Sequence, residues 1–160
     1  MLVTATRGLR DIVSTTLLAV ERVDSLKTNG GGRSVGNVNF SYRDFDLYGH
    51  LRPSALLSKC DDALDFYFRR QGGVALGIEW DFVLRRASLK VDSDLDVGTS
   101  LYQFMAMTNL GETSFTVEYS FLDGSSTVAR SSITYVSISV ESMVKVATPT
   151  HIRSLIRDIG

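Results

Sequence analysis

The sequence is poor in cysteine, has no excess of either charge and contains no long apolar run. Its single cysteine, Cys60, excludes an internal disulfide and a cysteine-based zinc cluster. Seventeen basic and eighteen acidic side chains leave a formal charge of −1, so neither a nucleic acid nor an anionic membrane is an expected partner. The longest apolar run is far shorter than the roughly 20 residues that cross a bilayer, and no membrane span is expected.

What is present is the composition of an ordinary globular domain. The 160 residues are 44% hydrophobic and 22% charged, and this length suffices for one domain with a substantial core. The stretch "TNGGGRSVGN" at 28–37 contains three consecutive glycines, which is typical of a flexible linker. We therefore expect a compact domain over 37–160, preceded by an arm and linker over 1–36.

The segment before that domain has two interpretations. Apolar residues recur at helical steps between 9 and 20, which favours an amphipathic arm or helix. Hydroxyl groups and arginines in the same segment are typical of organelle transit peptides, but Asp11, Glu21 and Asp24 count against that assignment. The expected location is cytoplasmic, or a plastid or mitochondrion if the segment is a targeting peptide.

The domain itself begins with a predicted strand and a predicted long helix. Alternation of apolar and polar residues predicts a strand over 38–43, with Tyr42 on its apolar face. A wide apolar stripe begins after Pro53 and stops at Gly72. Because proline suits the first turn of a helix and glycine its end, the stripe predicts a helix over 53–71.

Residues 74–140 are predicted to form four strands in hairpin succession. The sequences "NLGE" and "LDGSS" have the chemistry of hairpin turns. After Arg85 and Arg86 the apolar phase changes within one extended run, which predicts a β-bulge or a sharp coil of the strand. A short C-terminal helix is expected after Pro149.

This order of elements predicts an α+β domain. A run of strands beside one helix is typical of a sheet with helices on one side. Because the long helix is apolar over nearly half of its circumference, we expect one long central helix wrapped by a curved antiparallel sheet of about five strands. The N-terminal arm or helix and the short C-terminal helix would be additions to this unit.

Ionisable residues are concentrated directly before the long helix, in "YRDFDLYGH". The segment contains a pattern of two acids separated by one variable residue, followed after two more variable residues by glycine and histidine. The four defined positions are Asp44, Asp46, Gly49 and His50. With the order of elements, this pattern resembles the hotdog-fold acyl thioesterases, including the 4-hydroxybenzoyl-CoA thioesterase-like and acyl-ACP thioesterase branches. The resemblance covers about 37–157.

The resemblance implies a hotdog fold and hydrolysis of an acyl thioester carried by coenzyme A or by an acyl carrier protein. It also implies a homodimer or homotetramer with active sites where subunits meet. Asp46 would be the catalytic carboxylate, as general base or as nucleophile, and Asp61 would be a second acid of the site. Pro53 is a departure, because it stands where the related enzymes use a backbone N–H to hold the thioester carbonyl.

Thioester hydrolysis requires a carboxylate that activates water or attacks the carbonyl, and fixed donors for the charge that forms on oxygen. A helix N-terminus supplies such donors, and the candidates are the backbone N–H groups of Ser54, Ala55 and Gly49. If the segment is extended, Asp44 shares a face with Asp46, and their repulsion would raise one of the two pKa values. This chemistry requires neither a metal nor a cofactor.

Other candidates would contact the substrate. His50 could bind it, polarise water or form a structural hydrogen bond, and Tyr48 could be a pocket donor or a packing residue. Arg85 and Arg86 could bind coenzyme A phosphates or simply be exposed. An acyl pocket and a packed core use the same apolar residues, here Leu56, Leu57, Trp80 and Phe82.

Structural roles and other functions stay open at this level. Asp44 and Asp46 could cap the turn, Asp61 could be a solvated helix residue, and Cys60 is expected to be buried. One other function is an acyl-thioester hydratase or dehydratase on the same fold, for which only His50 lies near the helix. Another is a non-catalytic acyl-binding dimeric module.

Overall fold

The structure is a computed structural model that describes residues 32–78 and 80–160. The expected N-terminal arm or targeting peptide and the first part of the glycine-rich linker lie outside the described residues. Within these residues the elements are five strands, two α-helices and two short helical turns: β1 Arg33–Asn39, a 3-10 turn Tyr42–Asp44, α1 Pro53–Phe66, a π-helical turn Tyr67–Gln71, β2 Asp81–Val91, β3 Ser100–Leu110, β4 Ser114–Asp123, β5 Ser126–Ile138 and α2 Thr150–Arg157.

Helix α1 begins at Pro53, as predicted, and the π-helical turn continues it to residue 71. Its buried side chains recur at three- and four-residue steps and form one face: Ala55, Leu56, Cys60, Ala63 and Leu64. The chain leaves the helical turn at Gly72, where an added Cβ would lie 2.7 Å from Leu155 Cδ1 and 2.9 Å from the Phe68 carbonyl oxygen. The glycine is therefore required by a close approach of this turn to α2.

The five strands form one antiparallel sheet in the order β1-β3-β4-β5-β2. The hairpins β3–β4 and β4–β5 use the two predicted turns. The expected hairpin between β2 and β3 is wrong, because β2 pairs with β5 and β3 pairs with β1. Alternation along a strand reports which residues are buried but not which strand is the neighbour, so this crossover was not visible in the sequence.

Two predicted strand boundaries are also wrong. The first strand covers 33–39 rather than 38–43, so the end of the predicted linker is strand, and Tyr42 is exposed in the 3-10 turn. Strand β2 begins at Asp81 rather than near residue 74. The predicted bulge is confirmed, since the β2–β5 register shifts between Leu84 and Arg86.

The core lies between the helices and one face of the sheet, and it ties α1 to four strands. Phe68 contacts Phe82 of β2 and Phe115 of β4, with ring centroids 5.5 and 6.3 Å apart. Gln103 of β3, which is fully buried, donates from Nε2 to the Lys59 carbonyl oxygen at 3.2 Å. Strand β5 contacts α1 through a hydrogen bond to Asp61. The helical segment and Asp61 on its flank are thereby held against the sheet.

Candidate active site

The loop that precedes α1 is organised by the Asp46 carboxylate. Its Oδ1 accepts hydrogen bonds from the backbone N–H of Tyr48 at 2.8 Å and of His50 at 2.9 Å. Two backbone bonds close the same turn, from Asp46 N–H to the His50 carbonyl and from Gly49 N–H to the Asp46 carbonyl. These backbone donors, with the nearby His50 ring, hold the pKa of Asp46 below its usual value. The contacts of Asp46 are those of a turn-capping aspartate.

Asp44 does not share a strand face with Asp46. It ends the 3-10 turn, and its Oδ2 accepts hydrogen bonds from the Ser41 N–H at 2.6 Å and from the Ser41 hydroxyl at 3.0 Å. The segment is therefore folded rather than extended. The expected rise of one of the two pKa values does not occur at Asp46, whose pKa is lowered.

Two aromatic side chains of the loop, those of Tyr48 and His50, are exposed to solvent. The Tyr48 residue is 86% exposed and the His50 side chain 63% exposed. His50 Nδ1 lies 3.6 Å from Asp46 Oδ2, which is too long for a hydrogen bond. Gly49 has a φ of 83°, a left-handed conformation that favours glycine. The loop thus presents Tyr48 and His50 on the surface beside the start of α1.

The N-terminus of α1 leaves one of the proposed oxyanion donors available. Gly49 N–H is bonded within the loop, and Ala55 N–H donates to the Arg52 carbonyl at 2.9 Å. Pro53 has no N–H. Among the described residues no acceptor is bonded to the Ser54 N–H, and Ser54 is exposed. Of the candidates predicted from the sequence, Ser54 is therefore the donor that a bound carbonyl could reach.

Asp61 lies on the exposed flank of α1 but is tied to the core. Its Oδ1 accepts a hydrogen bond of 2.9 Å from the hydroxyl of Tyr135, a buried residue of β5. The apolar surroundings raise the pKa of Asp61, and the neighbouring Asp62 adds to this effect, although the Tyr135 bond opposes it. Asp61 is thus the predicted acid with the more basic carboxylate.

Tyr135 and its neighbour Tyr119 were not predicted as site residues. Their hydroxyl oxygens are 3.1 Å apart, and each residue is about 1% exposed. Both occupy inward positions of an alternating strand pattern, where a phenol requires a hydrogen-bond partner. The need of a buried phenol for a hydrogen-bond partner was the signal in the sequence that could have indicated these two residues. The sequence alone did not show which partner the fold would bring to them.

Cys60 is fully buried beside this pair, as predicted, and burial raises the pKa of its thiol to about 12. A neutral thiol is a weak nucleophile. Leu56 and Trp80 are buried in the core, and Leu57 and Phe82 pack against it. Leu56, Leu57 and Phe82 therefore serve as packing, whereas Trp80 also lines a cleft.

Arg85 and Arg86 lie at the bulge of β2, exposed to solvent. The structure has a cleft of about 190 Å³ on the sheet, between Ser88 and Ser120, and one of about 510 Å³ at the end of the π-helical turn, beside Trp80 and His151. Neither cleft is lined by a predicted catalytic residue. Within 32–78 and 80–160, no helix has the length and apolar character of a membrane span.

No family model matches the sequence, and no curated protein matches it. Solved structures do match. One is a Pseudomonas aeruginosa protein with a TM-score of 0.72 and 18% identity, over 80% of this chain and 96% of that one. A putative thioesterase from Prochlorococcus marinus has a TM-score of 0.68 and 16% identity, over 78% and 94%. A Synechocystis 1,4-dihydroxy-2-naphthoyl-CoA thioesterase has a TM-score of 0.67 and 18% identity, over 77% and 94%. The hotdog fold predicted from the motif and the element order is confirmed.

Proposed function

We propose that the protein is a thioester hydrolase that cleaves an acyl-CoA or acyl-ACP thioester into a free carboxylic acid and the carrier thiol. The observation that carries the proposal is a carboxylate of raised pKa, Asp61, on the same helix as an available backbone donor, Ser54 N–H. The thioesterases among the structural neighbours support the same reaction class. The proposed chemistry uses no cofactor or metal, since coenzyme A or phosphopantetheine arrives with the substrate.

In this proposal the Ser54 N–H binds the thioester carbonyl oxygen. The positive end of the α1 dipole lies at the same place and stabilises the negative charge that forms there. Losing one such donor typically costs about 2.7–4 kcal/mol of transition-state stabilisation. Pro53 is then not a defect of the site, because it starts the helix and leaves the next amide to donate.

Asp61 is proposed as the group that activates water. Seven residues of helix separate it from Ser54, or about 10 Å along the axis. Helical N–H groups and side chains both point towards the N-terminus, so the Asp61 side chain reaches back along α1 towards a carbonyl held at the Ser54 N–H, with a water between them. Among the two acids, Asp61 also has the more basic carboxylate, which favours general-base catalysis.

The reaction then balances without another reagent. Water oxygen forms a bond to the carbonyl carbon while Asp61 Oδ2 takes the proton, and the carbonyl oxygen becomes an oxyanion at the Ser54 N–H. As the oxyanion collapses, the C–S bond breaks and the sulfur leaves with the electron pair. The proton on Asp61 passes to that sulfur, so a carboxylic acid and a thiol are released.

Asp46 stays a prediction as the catalytic carboxylate. The motif supports that role, but its Oδ1 is occupied by two backbone donors, and its lowered pKa makes it a weak base. Its contacts support a structural contribution, in which it shapes the loop that leads into α1. Tyr48 and His50, exposed on that loop, are proposed to contact the substrate.

Recognition of the carrier is proposed at the exposed arginines of β2. Arg85 and Arg86 project from an edge strand, and guanidinium groups bind phosphates in a bidentate manner. Both coenzyme A and phosphopantetheine carry phosphate, so these residues suit either carrier. The protein is proposed to be a homodimer or homotetramer, because β2 is an edge strand of the sheet that the described residues form.

Steady-state hydrolysis of a panel of acyl-CoA and acyl-ACP substrates tests the function, with Asp61→Asn and Asp46→Asn beside the wild type. Asparagine keeps a side-chain oxygen that accepts hydrogen bonds, so a purely structural aspartate tolerates the change. We expect Asp61→Asn to lower kcat by roughly 10²–10⁴-fold and Asp46→Asn to have a much smaller effect. The reverse order would assign catalysis to Asp46.

Two outcomes contradict the proposed function itself. Addition of water to an enoyl thioester without hydrolysis would identify a hydratase. Binding of acyl thioesters without turnover on either carrier would identify an acyl-binding module.

A further inference from the structure

Two buried phenols form a hydrogen-bonded chain that ends on Asp61. Tyr135 donates to Asp61 Oδ1 at 2.9 Å, and the hydroxyl oxygens of Tyr119 and Tyr135 are 3.1 Å apart. A phenol has one proton to donate. Since the proton of Tyr135 is directed to Asp61, Tyr119 must donate to Tyr135. The chain therefore has one direction, from the core towards the carboxylate.

The surroundings of Tyr135 fix the position of its hydroxyl. Its ring stacks on Phe115 with centroids 5.4 Å apart, and it meets Phe82 edge-on at 5.3 Å. Burial raises the pKa of both tyrosines, so both stay protonated donors over the pH range of enzyme assays. Hydrogen bonds in such a chain strengthen one another, particularly in a low-dielectric core.

As a result, the two carboxylate oxygens of Asp61 differ in their hydrogen bonding. Oδ1 is held by Tyr135, whereas among the described residues no hydrogen-bond partner contacts Oδ2. Other ionisable groups near Asp61 are its neighbours on α1. Asp62 is adjacent, Asp65 is paired with Arg69 through two contacts of 2.9 Å, and the Cys60 thiol is neutral.

We propose that Tyr135 and Tyr119 are positioning residues, which hold Asp61 by Oδ1 so that Oδ2 is aimed at the attacking water. The inference rests on the proposed function and on the assignment of Asp61 within it. It adds a role for two core residues that do not touch the substrate. A general base must lie within hydrogen-bond reach of the proton that it takes, and a fixed rotamer maintains that geometry.

The test is the pH profile of kcat/KM for Tyr135→Phe and Tyr119→Phe. Phenylalanine keeps the ring packing and removes only the hydroxyl. Loss of a hydrogen bond to an ionised carboxylate raises the carboxyl pKa, so Tyr135→Phe shifts the acid limb upwards by about one unit. It also lowers kcat about ten-fold, with little change in KM. Tyr119→Phe gives a smaller shift in the same direction.

Tyr67→Phe is the matched control. Tyr67 is also buried, and its hydroxyl donates to the Leu155 carbonyl at 2.8 Å and accepts from Arg33 Nη1 at 3.3 Å, with no hydrogen bond to Asp61. This variant also removes the hydrogen bonds of a buried phenol, so it reports a purely structural loss. We expect its acid limb to match that of the wild type. A shift equal to that of Tyr135→Phe would overturn the positioning role.

A double-mutant cycle and an NMR titration separate this inference from the function it rests on. In the Asp61→Asn background, Tyr135→Phe is expected to change kcat by less than about two-fold, because the two residues act as one unit. The pKa of Asp61, followed by its carboxyl ¹³C shift, should rise in Tyr135→Phe. If the wild type hydrolyses nothing, the function fails while this titration still reports on the contact. If it hydrolyses thioesters but the pH profile and titration do not move, the positioning role fails alone.

Discussion

At the scale of single residues, Asp46 and Asp61 have different roles: the contacts of Asp46 shape a loop, and Asp61 is proposed as the general base. Asp46 uses one oxygen to bind two backbone donors of its own loop, and Asp61 uses one oxygen to bind a buried phenol. The first environment stabilises the ionised form, and the second destabilises it through burial. Their pKa values are therefore moved in opposite directions, which provides a way to tell which acid limits the reaction.

The acid limb of hydrolysis is expected to lie above the ordinary aspartate pKa of about 3.9. A base must be ionised, so activity rises as the pH passes the pKa of the catalytic acid. With Asp61 as base, whose pKa is raised, the midpoint falls above the ordinary value. With Asp46, whose pKa is lowered, it would fall below. A kcat/KM profile measures the midpoint, and circular dichroism at each pH checks that the fold persists.

Removal of the Asp61 charge is expected to stabilise the fold at neutral pH. Because the folded pKa of Asp61 is raised, its ionised form is less favourable in the folded chain than in the unfolded one. Asp61→Asn should increase the free energy of unfolding by less than about 1 kcal/mol, since the side chain is partly exposed and screened. Urea unfolding at several pH values measures it.

The pH dependence of the stability difference between Asp61→Asn and the wild type tests this explanation. As the pH falls through the folded pKa of Asp61, the free energy of unfolding of the wild type should approach that of the variant. The two values should become equal below the unfolded pKa of about 3.9. A variant less stable than the wild type at neutral pH would mean that the Tyr135 bond to the charged form outweighs the cost of burial.

At the scale of elements, the start and end of the long helix and the β3–β4 and β4–β5 hairpins were predicted, but the neighbour of β2 was not. Pro53 and Gly72 are local signals that determine where a helix starts and stops, and the helical segment ends where they indicate. The pairing of β2 with β5 is set by packing of whole strands, and no short stretch of sequence encodes it. The Tyr135–Asp61 contact joins residues 74 positions apart, so it became visible only with that pairing.

Gly72→Ala is expected to destabilise the junction between α1 and α2. The new Cβ would lie 2.7 Å from the Leu155 side chain and 2.9 Å from the Phe68 carbonyl oxygen. Leu155 can move, but the backbone oxygen cannot move without shifting the helical turn. Overpacking of this kind costs about 1–3 kcal/mol, which thermal unfolding followed by circular dichroism would measure.

Gly73→Ala is the neighbouring control. An added Cβ at Gly73 meets nothing within 4 Å, and the only cost there is a left-handed φ of 61°. That strain is worth about 1 kcal/mol. A Gly72→Ala variant as stable as Gly73→Ala would show that the turn moves freely and does not depend on the close approach.

At the scale of the whole molecule, the sheet formed by the described residues has two edge strands, β1 and β2. Strand β2 is at the end of the sheet order, and Val83 and Leu84 on it are 42% and 45% exposed. Tyr135 lies on β5, directly beside that edge strand, with Leu84 as its register partner. A second copy paired along β2 would therefore cover the flank of the molecule on which Asp61 lies.

Charge introduced on β2 is accordingly expected to weaken both assembly and activity. In a two-fold pair the same residues face each other, so Val83→Lys with Leu84→Lys would bring like charges together, which is destabilising across paired strands. Sedimentation velocity should show a shift from dimer or tetramer to monomer, and hydrolysis should fall with it if the second copy completes the site. Asn37→Lys, on the opposite edge strand β1, is the control and should leave both unchanged. A wild-type monomer with full activity would contradict the proposed assembly, and a monomeric variant with full activity would show that one chain contains the whole site.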